Sequence, residues 1–209
     1  MFVKICGINS APAAEAAVAG GADAVGFVFA DSPREVTPER ALELSAVVPR
    51  TVLRVAVMHH PAPELWRRVL DVFAPDWLQT DAEDFASNGL REAIEGRCSA
   101  LPVYRNGAAV SSSMPARLLF EGAKSGTGRT ANWDAARALA ARSEVILAGG
   151  LDAANVEDAL RTVHPWGVDV SSGVERRRGE KDPGKIREFI ARVRAFDDGA
   201  RPQPKEKER

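Results

Sequence analysis

The chain has 209 residues, long enough to bury a substantial core as one domain. Its 28 Lys and Arg against 29 Asp and Glu leave a net charge of −1. That balance excludes a global electrostatic drive toward nucleic acid or an anionic membrane, while a local basic site for a small anion stays possible.

No apolar run approaches the roughly 18–20 residues of a membrane span. The start, MFVKICGINS, lacks a basic region followed by an apolar signal segment. Two cysteines, Cys6 and Cys98, have no metal-ligand spacing, and there are only three histidines. A zinc site and a disulfide framework are therefore not expected, and a reducing cytoplasm is.

In chain order, FVKIC ends at Cys6 as a first strand, and the alanine-rich APAAEAAVAGG follows as a helix stopped by Gly20 and Gly21. ADAVGFVF, Ala22 to Phe29, is almost continuously apolar, as a strand covered on both faces should be. Thr37 and Pro38 are a cap and first-turn proline for a helix over PERALELSAVV. TVLRVAVM is a third strand; His59 and His60 at its end read as polar loop residues. In PELWRRVLDVF, Leu65, Val69, Val72 and Phe73 recur on one helical face. DWLQT, ALPVY and RLLFE are shorter strand candidates, and SEVILAGG and WGVDVSSG close the set at eight. Asp182 and Pro183 open a last helix with Ile186, Phe189, Ile190 and Val193 inward. Residues 1–195 are expected to form one domain, and 196–209 a flexible, chemically idle tail rich in Pro, Gly and charge.

Eight strands, mostly alternating with helices, predict an α/β chain folded as a (β/α)8 TIM barrel. A doubly wound open sheet gives the same alternation and is the competing architecture. In a barrel, function gathers at the C-terminal strand ends. Those ends offer Cys6, then Arg34, Gln79 to Asp81, Glu121, Gly149 with Gly150, and Asp169 to Glu175.

Gly126, Gly128 and Ala131 formally fit the dinucleotide fingerprint, yet about four residues separate them from the strand end at Glu121. A dinucleotide loop starts directly after its strand, so no nicotinamide or flavin site is expected. The glycines of ILAGGL and the Ser171, Ser172, Gly173 run end successive strands, where barrels often hold phosphate on backbone N–H groups. Arg34 is suited to gripping a carboxylate or phosphate. Asp169, an acid within a buried strand, needs a partner or a chemical role. The run ERRRGEKD reads as a solvated loop, Glu175 as a surface or supporting residue, and Cys98 as structural.

Five segments together, VKICGI, GADAVGFVFADSPREVT, GTGRTANWD, ILAGGLDAANVEDA and VDVSSGVERRRGEKDPGKIREFI, resemble the phosphoribosylanthranilate isomerase family of tryptophan biosynthesis, in the family's order from Val3 to about Ile190. The resemblance implies a cofactor-free, metal-free Amadori rearrangement of N-(5-phosphoribosyl)anthranilate to 1-(2-carboxyphenylamino)-1-deoxyribulose 5-phosphate. It implies Cys6 as general base, with a thiolate of lowered pKa, and Arg34 as the grip on the anthranilate carboxylate. It implies Gly149, Gly150, Ser172 and Gly173 around the phosphate, and Lys4, Asp81, Gly126, Gly128 and Asp169 about the substrate. A small-molecule phosphorylated partner and a monomer or homodimer in the cytoplasm are expected, with no nucleic acid or membrane partner.

Two positions depart from the family pattern. Glu121 stands where the family carries an aspartate as general acid, so its carboxyl must fold back by about 1.5 Å to reach the same oxygen. Asp81 replaces a histidine and adds negative charge near an anionic ligand. Either the pocket compensates locally, or the chain is a catalytically altered or inactive barrel for a related phosphorylated aminoaldose.

Overall fold

The computed structural model describes residues 1–87, 89–105, 114–122 and 132–200. Eight strands close into a ring: β1 (Phe2–Cys6), β2 (Ala24–Val28), β3 (Leu53–Val57), β4 (Trp77–Asp81), β5 (Ser99–Arg105), β6 (Arg117–Glu121), β7 (Glu144–Leu147) and β8 (Gly167–Val170). All neighbours are parallel, and β1 pairs with both β2 and β8, so the expected barrel replaces the open sheet. Around it run α1 (Ala11–Gly20), α2 (Pro38–Leu44), α3 (Pro63–Val72), α4 (Leu90–Ile94), α5 (Trp133–Ala140), α6 (Val156–Val163) and α7 (Pro183–Ala200).

Strand periodicity divides the chain's apolar residues between two cores. Val3, Ile5, Val25, Phe27, Ala56, Leu78, Leu118, Phe120, Val145, Leu147 and Val168 face outward and pack under the helices. The alternate set, including Ala24, Val55, Leu101, Leu119 and Ile146, fills the barrel interior. Below it, Phe2 stacks between Trp77 and Trp166 at 5.5 and 4.7 Å. The Arg117 guanidinium lies over both tryptophan rings and pairs with Glu144 at 2.6 Å, so the floor is sealed by stacked rings and a cation. Residues at the C-terminal strand ends are thus the upper members of the inward series.

Local signals account for several helix starts. Thr37 Oγ1 accepts from the Arg40 N–H at 3.2 Å, as its position before Pro38 predicts. Asn132 Oδ1 does the same for Ala135 at 3.1 Å. On α3 the buried face is Trp66, Val69 and Leu70, with Phe73 just beyond; Leu65 and Val72 are only partly covered. The expected face is therefore rotated, because the large Trp66 ring takes the centre.

Two other expectations need correction. α7 runs five residues past the expected domain limit at 195, because Phe196 packs against the core and Asp197 pairs with the N-terminal ammonium at 2.8 Å. The charge run after β8 is not simply a solvated loop. It forms a hairpin of β9 (Glu175–Arg177) and β10 (Glu180–Lys181), and Glu175 and Lys181 turn inward and are buried. Among the described residues, no helix is long and apolar enough to cross a membrane.

Candidate active site

The C-terminal strand ends enclose a cavity of about 480 Å³. Cys6, Gln79, Arg105, Glu121 and Asp169 line it, each on the inward series of its strand; Arg34, Gly149, Gly150, Ser172 and Arg178 line it from the loops. Cys6 comes from β1 and Glu121 from β6, three strands apart through β8 and β7.

Cys6 sits over a glycine for a spatial reason. A Cβ on Gly26, its register partner, would lie 3.2 Å from both the Cys6 sulfur and the Lys4 ammonium. The bare Cα makes room for a thiol and a cation side by side. Lys4 itself is fully buried and pairs with Asp169 Oδ1 at 2.7 Å, across the β1–β8 register that sets the two opposite each other. Lys4 therefore lies beneath the cavity and touches its lining through Asp169 and Cys6. Burial alone would lower the lysine's pKa, yet the Asp169 carboxylate holds it above its usual value. Burial pushes the Cys6 thiol up, against the lowering by Lys4 and Lys181. That direction is opposite to the lowered pKa that the resemblance implies.

Arg34 is only 6% exposed and is held by Glu175, Nε to Oε1 at 2.6 Å and Nη2 to Oε2 at 3.0 Å. The two-pronged grip leaves Nη1 outside that pair and fixes the guanidinium plane at the cavity wall. Lys181 adds a second cation to Glu175 at 2.9 Å and donates to the Ser171 carbonyl at 2.8 Å. Burial would raise the Glu175 pKa, but Arg34 and Lys181 bring it down to about 2.

Glu121 reaches Arg105, whose other arm donates to Asp81 Oδ1 at 2.8 Å. One guanidinium thus joins the two residues that depart from the family pattern. Asp81 does not line the cavity; it stands behind Arg105, with His59 and His60 beside it. Sequence reading missed Arg105, although it shares the inward series of Leu101 and Val103, which would have found it.

At the phosphate end, Gly149 and Gly150 adopt φ of 89° and 68°, and Asn155 Nδ2 donates to the Gly150 carbonyl at 2.8 Å. Gly173 does not line the cavity. A Cβ there would meet the Leu151 carbonyl at 2.0 Å, so its glycine lets the two phosphate-side loops touch. Arg178 lines the cavity and makes no ion pair among the described residues; it too was missed, hidden in the charge run. Gly126 and Gly128 lie outside the described residues. Cys98, away from this site, is half-buried with its thiol pushed up to about 11 by burial, consistent with a structural residue.

The family model described as N-(5'phosphoribosyl)anthranilate (PRA) isomerase matches residues 3–192. An N-(5'-phosphoribosyl)anthranilate isomerase from Pelobacter propionicus is 40% identical over 199 residues, covering 90% of this chain and 93% of that protein. The structure of phosphoribosyl anthranilate isomerase from Thermus thermophilus superposes with a TM-score of 0.82 at 30% identity, covering 94% of this chain and 100% of that one. Another isomerase structure, solved with reduced 1-(o-carboxyphenylamino)-1-deoxyribulose 5-phosphate, gives 0.77 at 31% identity over 93% of this chain and 99% of that one. With its barrel closed, with Cys6, Arg34, Glu121 and Asp169 lining one cavity and with its sequence matched nearly end to end, the chain belongs to the N-(5'-phosphoribosyl)anthranilate isomerase family.

Proposed function

We propose that the chain carries out the reaction for which its family is named, in the cytoplasm, with Cys6 as general base and Glu121 as general acid. The reaction is an internal redox isomerisation, so protons are all that must move. The acid protonates the ribose ring oxygen, and the ring opens to a Schiff base. The base removes the proton from sugar C2, and the enol formed relaxes to the ketone. One donor and one acceptor must therefore address the sugar from different sides. The observation carrying this reading is that Cys6 and Glu121 face one cavity from β1 and β6.

The rest of the cavity suits the two anionic ends of such a substrate. Arg34, locked by Glu175, is the grip for the anthranilate carboxylate. Gly149, Gly150 and Ser172, with Arg178 above them, are the phosphate end, and Gly173 supports it by letting the loops meet. Lys4 and Asp169 act as a unit below the sugar: Asp169 fixes the ammonium beside Cys6, where it stabilises the thiolate as that forms. Asp81 contributes through Arg105. Its negative charge is compensated locally, which removes the main ground for assigning a different aminoaldose.

The test is kcat/KM against pH for wild type, Cys6→Ala and Glu121→Gln with phosphoribosylanthranilate. Each substitution should lower turnover by about 10²–10⁴-fold, the usual contribution of a positioned acid or base. Because the Cys6 pKa is raised above 9.0, the thiolate is the minor form at neutral pH, and its fraction grows as pH rises. Wild-type kcat/KM should therefore climb on an alkaline limb that Cys6→Ala lacks. Near-normal turnover in either variant would remove that residue from the mechanism.

A further inference from the structure

A second cluster of chemically capable side chains sits at the ends of β3 and β4, beside the cavity rather than within the acid–base machinery. The Nε2 atoms of His59 and His60 lie 3.5 and 3.4 Å from one oxygen, Asp81 Oδ2. Both distances exceed the roughly 2.7–3.2 Å of a good N–H···O hydrogen bond. They fit another spacing: two ligands about 2.0–2.1 Å from a tetrahedral zinc ion stand about 3.3 Å apart. Among the described residues, these three side chains form a metal-ligand group, with one donor atom from each lying within 4.8 Å of the others.

The backbone is bent to make this cluster. Consecutive residues of an extended chain point to opposite sides. The left-handed conformation of His60, φ 45°, breaks that alternation and brings the two imidazoles to a centroid distance of 4.2 Å. A histidine in this region is strained, and such strain is held where surrounding contacts require it. The contacts are present. His60 Nδ1 is 2.8 Å from Asp84 Oδ1, the His60 N–H donates to Asp84 Oδ2 at 3.2 Å, and Thr80 donates to the same carboxylate. In the tautomer whose Nδ1–H donates to the Asp84 carboxylate, the His60 Nε2 lone pair faces Asp81, the arrangement by which carboxylates orient metal-binding histidines. Asp81 divides its oxygens accordingly: Oδ1 takes Arg105, and Oδ2 faces the imidazoles.

We propose that His59, His60 and Asp81 bind a transition-metal ion of the Zn2+ class at the cavity rim, with Asp84 as the orienting carboxylate and the remaining position open to water. Both histidines are about half exposed, so the ion enters from solvent. His59 also lines the cavity, so an ion here stands at its mouth, and its occupancy slows turnover.

The metal-free full chain is titrated with Zn2+ by calorimetry and with Co2+ by visible absorption, without substrate. Expected are one ion per chain and a tetrahedral Co2+ spectrum that Zn2+ abolishes. His60→Asn keeps a residue that tolerates left-handed backbone but removes the imidazole, and it should lose the site. Asp84→Asn should weaken binding by about 10–100-fold. Binding unchanged in a folded His60→Asn, no binding by wild type, or a thiolate-to-Co2+ charge-transfer band assigning the ion to Cys6 or Cys98 would each overturn the site. Unaltered turnover of phosphoribosylanthranilate at saturating Zn2+ would overturn the inhibitory role. The binding readout needs no isomerase activity, so failure of the proposed reaction and failure of the metal site are told apart.

Discussion

At position 121 the glutamate is one methylene longer than the aspartate that the resemblance implies, and on the adjacent strand Arg105 meets it. The same guanidinium takes Asp81, from the strand on its other side, at 2.8 Å. The two departures are therefore one local solution: each carboxylate is acceptable because the cation between them is shared. Both side chains are nearly buried, so removing that cation takes positive charge out of a low-dielectric wall facing an anionic ligand. Arg105→Gln should lower kcat/KM by at least about 10²-fold, since displacing a reacting group by about 1 Å costs that much. Adding Asp81→Asn to this variant should restore part of the loss by removing the excess charge, whereas Asp81→Asn alone should not improve the wild type. A double-mutant cycle on kcat and KM checks this; strictly additive losses would show that the two residues act independently.

At the scale of elements, the β9–β10 hairpin shows what the sequence could and could not reveal. The strands and helices were legible because apolar runs, caps and prolines are local signals, and all eight barrel strands lie where those signals put them. The inward turn of Glu175 and Lys181 was not, because a run of eight mostly charged residues does not say which members meet a buried arginine. Only the fold brings Arg34, from the loop after β2, across to Glu175 beyond β8. Likewise Cys6, Glu121 and the glycine pair could be named from strand ends, while the pairing of Arg105 with Glu121 required the barrel register. The hairpin's acid carries a pH consequence. Its folded pKa, about 2, lies below its usual 4.5, so its stabilisation is fully present above about 4.5 and is lost as pH falls through about 2. Glu175→Gln leaves Arg34 and Lys181 as buried cations without their anion and should cost about 3–5 kcal/mol at pH 7. In urea unfolding the deficit should narrow as pH falls from 4.5 toward 2, where wild type takes up the same proton.

The whole barrel raises a question of a different kind, because its interior is not uniformly apolar. Ring stacking closes the floor and aliphatic side chains fill the middle, yet a fully buried lysine stands at the centre against Asp169. For stability alone this is a poor choice, since a buried ion pair seldom outweighs the cost of desolvating both partners. It makes sense for a site that must hold positive charge under a thiol without opening to water. Stability and chemistry should accordingly separate under mutation. Lys4→Met strands Asp169, and Asp169→Leu strands Lys4, so each should cost about 3–5 kcal/mol. The double variant Lys4→Met, Asp169→Leu removes both charges together and should unfold in urea within about 1–2 kcal/mol of wild type, or later, since apolar replacement of a buried pair is often neutral or stabilising. Turnover should be lost in all three. A double variant as unstable as the singles would mean that the pair holds the barrel together, and recovered turnover would mean that the ammonium beneath Cys6 has no part in the reaction.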